Sequence, residues 1–164
     1  MAISGAVASD HQLARLLQIG VVLEEVVEAR AARHLERLEA EGDVPEAVGA
    51  LLAEAAAESR EHRDRLAKLI DELEADTVAY EEIEALVRER YARTKPEDFD
   101  DVLYDQLCNE ETAYKFYDDL IAAIEDSDTT YTVDTDRVLA TLRAIREEEA
   151  EGVEDVTTVM EEYP

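Results

Sequence analysis

Apolar residues recur at spacings of three and four along four long segments of this 164-residue chain. In one segment the repeat comprises Leu103, Leu107, Tyr114, Tyr117, Ile121 and Ile124. This spacing puts the side chains on one face of an α-helix, because a helix turns once in about 3.6 residues. The chain has only five glycines and three prolines, so little interrupts these repeats. The sequence therefore predicts an all-α protein.

Capping and turn residues divide the chain into four long helices. Ser9 and Gln12 have the spacing of a capping box, and Gly42 ends the first repeat shortly before Pro45. The polar stretch DSDTTYTVDTD has no apolar period and predicts a loop before the last helix. The helices are expected at about residues 10–40, 45–75, 97–125 and 135–161. Two helix hairpins would be joined by a long crossover that carries a short helix, forming one domain over residues 1–164.

Acidic residues far outnumber basic ones. There are 43 aspartates and glutamates against 16 lysines and arginines, which gives a formal net charge of −27. Nucleic acids and anionic membranes are bound through basic surfaces, so this balance argues against both as partners. The acidic residues alternate with apolar ones at helical spacing, which predicts a folded chain with a solvated acidic surface. Such a surface is typical of proteins in a very salty, halophilic cytoplasm; a DNA-mimicking or cation-buffering surface is the alternative.

The chain contains no recognisable targeting or membrane segment. No apolar run approaches the length of a membrane span, and the N-terminal residues lack the basic and apolar regions of a signal peptide. We therefore expect a cytoplasmic protein. The single cysteine, Cys108, excludes an internal disulfide and a two-cysteine metal site.

Ionisable residues interrupt the apolar faces of all four predicted helices. Glu110 continues the apolar repeat between Leu107 and Tyr114, and Glu28 lies within the apolar centre of the first helix. His62 lies on the apolar face of the second helix, and Glu149 lies on that of the fourth. Because all four residues fall near the middle of their helices, they are candidates for one shared metal site between them.

These residues resemble the ferritin-like superfamily, and most closely its rubrerythrin-type di-iron carboxylate proteins. The resemblance rests on Glu28-x-x-Ala31, on NEETAYKFY around Glu110, and on the pairs Ser59-x-x-His62 and Glu149-x-x-Gly152. That family surrounds two metal ions with one Glu from each of two helices and a Glu-x-x-His from each of the other two. Here Ser59 stands where the family has a glutamate, and Gly152 stands where it has a histidine. The chain also lacks the further cysteines of a rubredoxin-like module.

The resemblance implies a ferritin-like four-helix bundle with a partial metal centre. The implied ligands are Glu28, His62, Glu110 and Glu149. Carboxylates with one imidazole favour iron, with manganese or zinc as alternatives, over calcium, and one or two ions are expected. The implied activity is iron oxidation or peroxide reduction, which would make the protein a di-iron-type oxidoreductase. Three glutamates about one residue off their helix faces are candidate replacement ligands: Glu25, Glu58 and Glu148.

A non-catalytic helical bundle that has lost its metal centre is the competing hypothesis. A lone histidine on an apolar face is more often a satisfied core residue than a ligand, and glutamate-rich helices place some carboxylates on any face by chance. Such a bundle would act through partners or self-association, and the extra apolar residues of the first helix predict a homodimer seam. The seam residues are Leu16, Ile19, Val22, Leu23 and Val26.

The other two histidines and two of the tyrosines are not predicted to be metal ligands. His34 lies in the arginine-containing segment AARHLER and is expected near the surface, while His11 lies in the first turn of the first helix. Tyr114 and Tyr117 are expected in the core at their helical spacing. Beside a metal centre they would hydrogen-bond its ligands or act as redox-active neighbours.

Overall fold

The computed structural model of the chain describes residues 6–42, 44–75, 77, 79, 81–85 and 102–162. Every regular element within these ranges is helical, which confirms the all-α prediction for them. The long helices are α1 (Asp10–Glu41), α2 (Glu46–Glu72), α3 (Val102–Glu125) and α4 (Thr135–Glu162). A short helical segment spans residues 81–85 in the link between α2 and α3. The predicted start of the third helix near residue 97 lies outside the described residues.

The predicted turn residues lie at the ends of α1 and at the start of α2. The Ser9 hydroxyl accepts a hydrogen bond from the backbone N–H of Gln12 at 3.1 Å, which satisfies one of the free donors at the start of α1. Gly42 follows α1 with a φ of 78°, in the left-handed region that glycine adopts without steric cost. Pro45 immediately precedes α2, where its restricted φ suits the start of a helix.

The four long helices enclose a common interior. α1 packs mainly against α2 and α3 mainly against α4, with further contacts between α2 and α4 and between α1 and α3. The buried apolar residues form a larger and a smaller cluster. On their own helices, His62, Glu110 and Glu149 fall between residues of the larger cluster and residues of the smaller one. A polar layer therefore separates the two apolar parts of the interior.

The predicted dimer seam of α1 faces the interior of the same chain. Ile19, Val22 and Leu23 are buried, with exposed fractions of 4% or less. Leu16 and Val26 are partly buried and pack against the larger apolar cluster. Ile19, Val22 and Leu23 are therefore covered within the chain, Leu16 and Val26 remain partly exposed, and the homodimer stays a prediction.

The outward faces of the helices are mostly polar. Tyr117 is fully buried, as predicted, whereas Tyr114 is 38% exposed, so the prediction that Tyr114 is a core residue is wrong. Residues three apart on a helix differ by about 60° in direction, which puts Tyr114 at the solvent edge of α3. In the described part of the chain, none of the helices is both long and apolar enough to span a membrane.

Candidate metal centre

Each of the four long helices contributes a buried polar side chain to the centre of the interior. Glu24 comes from α1, His62 from α2, Glu110 from α3 and Glu149 from α4. Their exposed fractions are 0%, 1%, 7% and 3%, respectively. Three carboxyl groups and one imidazole therefore share a volume from which water is nearly excluded. Such groups are costly to bury unless hydrogen bonds, protons or a cation compensate for the lost solvation.

His62 lies at the junction of two groups of potential metal ligands. Among the described residues, Glu24, His62 and Glu149 form one group, which we call the inner group, and Glu58, His62 and Glu148 form another, the outer group. In each group, one donor atom from every residue lies within 4.8 Å of the other two. The inner group is fully buried, whereas Glu58 and Glu148 have side chains that are 31% and 34% exposed.

The two ring nitrogens of His62 face different groups. Nδ1 lies 3.0 Å from Glu149 Oε1 and 3.3 Å from Glu24 Oε1. Nε2 lies 2.9 Å from Glu148 Oε2 and 3.7 Å from Glu58 Oε1. Burial alone would lower the pKa of His62, but the hydrogen bond to Glu24 and the surrounding carboxylates raise it overall. The imidazole therefore joins the inner group to the outer one.

Burial dominates the electrostatics of the carboxyl groups. It raises the pKa of Glu149 well above its usual value, and the charge of Glu24 adds to the effect. Burial likewise raises the pKa of Glu110, and it raises that of Glu58 to about 7. Each group would thus be more easily ionised if a positive charge were placed beside it. A divalent cation is such a charge, and it binds the ionised form.

Only one of the two carboxylate oxygens of Glu24 has a hydrogen-bond partner among the described residues. Its Oε1 accepts a hydrogen bond from the hydroxyl of Tyr117 at 2.5 Å. Its Oε2 is buried and has no hydrogen-bond partner among the described residues. An unpaired carboxylate oxygen in a dry interior is energetically unfavourable and is rare in folded proteins. This oxygen is therefore the clearest sign that the inner group accommodates something more than its own side chains.

An arginine fixes the outer group. Arg65 donates two hydrogen bonds to Glu148, at 2.8 Å to Oε2 and 3.0 Å to Oε1. Although burial would raise the pKa of Glu148, the bond from Arg65 helps to lower it overall. Arg65 therefore orients the Glu148 carboxylate so that it can accept a hydrogen bond from His62 when Nε2 carries a proton. Histidines that bind metals commonly donate their second ring N–H to a carboxylate in this way.

Glu110 lies in the space that Gly152 leaves open. A Cβ atom built on Gly152 would lie 2.5 Å from Glu110 Oε2 and 2.7 Å from its Cδ, so any side chain at position 152 would require the Glu110 carboxyl to shift. Glu110 Oε1 accepts a hydrogen bond from the amide of Gln106 at 2.9 Å. The absence of a side chain at position 152 thus lets the Glu110 carboxyl reach across to α4. A histidine at position 152, as the resemblance expects, would displace it.

In the structure, Glu28 pairs with two arginines and belongs to neither candidate metal group. Glu28 Oε1 accepts a hydrogen bond from Arg60 at 3.1 Å, and Oε2 accepts one from Arg63 at 2.8 Å. The residue that meets His62 and Glu149 from α1 is Glu24, one helical turn earlier. The two glutamates are four residues apart and share a helix face, so the periodicity alone did not distinguish them. Only the packing of α2 against α1 shows that these two arginines are the partners of Glu28.

A second buried polar cluster lies between α1 and α3. Asp105 accepts hydrogen bonds from Arg30 at 2.6 Å and 3.3 Å, and its Oδ2 lies 2.5 Å from His34 Nε2. The exposed fractions of Asp105 and His34 are each 1%. The expectation that His34 lies near the surface is wrong, because Asp105 gives it a partner inside. The charged and polar groups of these three side chains pair with one another, and the pairing joins α1 to the start of α3.

The lowered pKa of Asp105 predicts a specific loss of stability in acid. Burial would raise its pKa, but the hydrogen bonds with His34 and Arg30 lower it overall from a reference value of 3.8. A carboxyl group whose pKa is lower in the folded chain than in the unfolded chain stabilises the folded state. This stabilisation is complete when the pH is above the pKa of the unfolded chain, and it is lost as the pH falls through the pKa of the folded chain. Denaturant unfolding between pH 5 and pH 2 should therefore show a steeper decline for the wild type than for Asp105→Asn. Parallel declines would contradict this role.

Comparison of the chain with protein-family models, with curated proteins and with solved structures finds no match. A functional assignment must therefore come from the geometry of the buried side chains. That geometry offers one imidazole nitrogen and oxygens from Glu24 and Glu149 around a common point. This donor set suits a divalent transition-metal ion better than calcium, which prefers six or more oxygen ligands.

Proposed function

We propose that this chain is a ferritin-like protein that binds a divalent transition metal, with iron as the first candidate and manganese or zinc as alternatives. Its four long helices would form a bundle of two hairpins joined by a long crossover. The inner group of Glu24, His62 and Glu149 would hold the ion. The observation that carries the proposal is that Glu24, one of these three residues, has a buried Oε2 with no hydrogen-bond partner among the described residues. A cation there would satisfy that oxygen and neutralise part of the buried negative charge.

The surrounding residues have defined parts in this proposal. Tyr117 orients Glu24 through its hydroxyl, and Glu148 orients the imidazole of His62 through Nε2. The neighbouring apolar residues exclude bulk water, which strengthens the electrostatic attraction between the carboxylates and a cation. A bound iron ion would supply redox chemistry to this site. Oxidation of iron or reduction of peroxide is therefore the proposed activity.

A metal-free interaction protein is the second candidate. One observation favours it: Tyr117 bonds Glu24, Gln106 bonds Glu110, and Arg65 bonds Glu148, so most of the polar atoms have protein partners already. A bundle stabilised in this way would fold without an ion. Retention of metal separates the two candidates, because the second gives the protein no reason to keep a metal ion through purification.

Metal retention by Glu149→Gln provides the test. The protein is purified without chelators and desalted into molar KCl, which removes ions held loosely by the acidic surface. Elemental analysis is expected to find iron, manganese or zinc in the wild type and little in Glu149→Gln. Glu147→Gln is the matched control, since Glu147 is exposed on the same helix, and it should retain the metal. A folded wild type without metal would refute the proposal, whereas equal retention of metal by Glu149→Gln would refute the assignment of the ion to the inner group.

A further inference from the structure

We infer that the centre binds one divalent cation per chain, in the inner group, and that the outer group and Glu110 prevent a second ion from binding beside it. This inference rests on the proposed metal binding and concerns the number and position of the ions. A ferritin-like centre of the complete kind would hold two ions. The residues of this chain do not fit that pair, for two independent reasons.

The first reason is that the inner and outer groups share His62. A neutral imidazole carries a proton on one ring nitrogen and offers a lone pair only on the other. The ring can therefore ligate an ion in the inner group through Nδ1 or an ion in the outer group through Nε2, but not both. In the part of the chain that the structure describes, these are the two groups that combine His62 with two carboxylates. Because His62 can bind an ion in only one of these two groups at a time, the two groups together account for one ion.

The structure favours the inner group of these two. Glu148 already receives two hydrogen bonds from Arg65 and lies 2.9 Å from Nε2, so a proton on Nε2 is well placed to bond it. That arrangement directs the lone pair of Nδ1 towards Glu24 and Glu149. The inner group also holds the unpartnered Oε2 of Glu24, whose side chain is fully buried. An ion in the outer group would leave that oxygen unsatisfied and would compete with Arg65.

The second reason is that Glu110 fills the remaining space on the α3 side. Its carboxyl lies against Gly152, where even a Cβ atom would meet Oε2 at 2.5 Å, and Gln106 anchors its other oxygen. Position 152 has no side chain to offer a second ion, and Ser59 offers a hydroxyl in place of a carboxylate. A second ion would thus lack these two ligands, and it would have to displace the Glu110 carboxyl from the space beside Gly152.

Titration with Mn²⁺ in molar KCl measures the number of ions directly. Elemental analysis after desalting is expected to give one equivalent of Mn²⁺ per folded chain, and electron paramagnetic resonance should give the six-line spectrum of an isolated ion. Two tightly bound equivalents with a spin-coupled spectrum would overturn this inference and leave the proposed metal binding intact. No bound Mn²⁺, Fe²⁺ or Zn²⁺ in a chain shown to be folded would overturn both.

Substitutions in the two groups locate the ion. Glu149→Gln is expected to lose the bound Mn²⁺ ion, while Glu58→Gln and the exposed control Glu147→Gln should keep it. Glu148→Gln should also keep one equivalent, with affinity lowered by about 10- to 100-fold, because it orients His62 without touching the ion. The opposite pattern, in which Glu58→Gln loses the ion and Glu149→Gln keeps it, would place the ion in the outer group and overturn the inference. Circular dichroism establishes that each variant is folded.

Discussion

Saturating Mn²⁺ is expected to raise the melting temperature of the wild-type protein by about 10 °C. A ligand present at about 1,000 times its Kd stabilises the folded state by roughly 4 kcal/mol, since the unfolded chain has no assembled site. For a domain of this size, each kcal/mol shifts the melting temperature by about 2–4 °C. The inner group brings together ligands from α1, α2 and α4, so the ion would join three helices that are distant in sequence. Differential scanning calorimetry in molar KCl, with and without Mn²⁺, measures the shift.

The Glu149→Gln variant makes this result specific to the inner group. Its melting temperature should not respond to Mn²⁺, and without metal it should be at least as high as that of the wild type. The reason is that the substitution removes one of several buried carboxyl groups that lie close together. Glu147→Gln, which is exposed on α4, should respond like the wild type. Equal shifts in Glu149→Gln and the wild type would mean that Mn²⁺ stabilises the chain through its acidic surface alone.

Asp105→Asn is expected to lower the free energy of unfolding by about 3–5 kcal/mol. The substitution removes the charged partner of Arg30 and His34 while both remain buried, and an uncompensated buried charge is strongly destabilising. Asp119→Asn is the matched control on the same helix. It breaks the pair between Asp119 and Lys115, whose side chain is 66% exposed, so its cost should stay below about 1 kcal/mol. Denaturant unfolding at neutral pH measures both.

A triple substitution distinguishes a lost interaction from a general loss of packing. Replacing Asp105, Arg30 and His34 together with apolar residues of similar volume removes all three buried polar groups at once. Such replacements are often neutral or stabilising for buried charge clusters, so the triple variant should recover most of the lost stability. If the triple variant is as unstable as Asp105→Asn, the cluster contributes through its shape and not through the pairing of its charges.

Much of the helical architecture was predictable because it depends on local chemistry. The first helix was expected at about residues 10–40 and spans Asp10–Glu41, and the last was expected at about 135–161 and spans Thr135–Glu162. The Ser9 cap and the left-handed Gly42 act on neighbouring backbone groups, so their effects can be read from adjacent residues. The apolar period likewise identified the inward faces on which His62, Glu110 and Glu149 lie buried.

The choice of partners among the polar residues was not predictable in the same way. The helical period predicts which face of a helix a residue occupies. It does not predict how deeply that face is buried or which residues of a neighbouring helix lie opposite it. Glu24 and Glu28 share a face of α1, yet Arg60 and Arg63 bind Glu28 while Glu24 meets His62. His34 likewise became an interior residue because Asp105, 71 positions away, bonds it. Helix positions follow from contacts within a few residues, whereas the charge pairs of the interior depend on how separate helices pack.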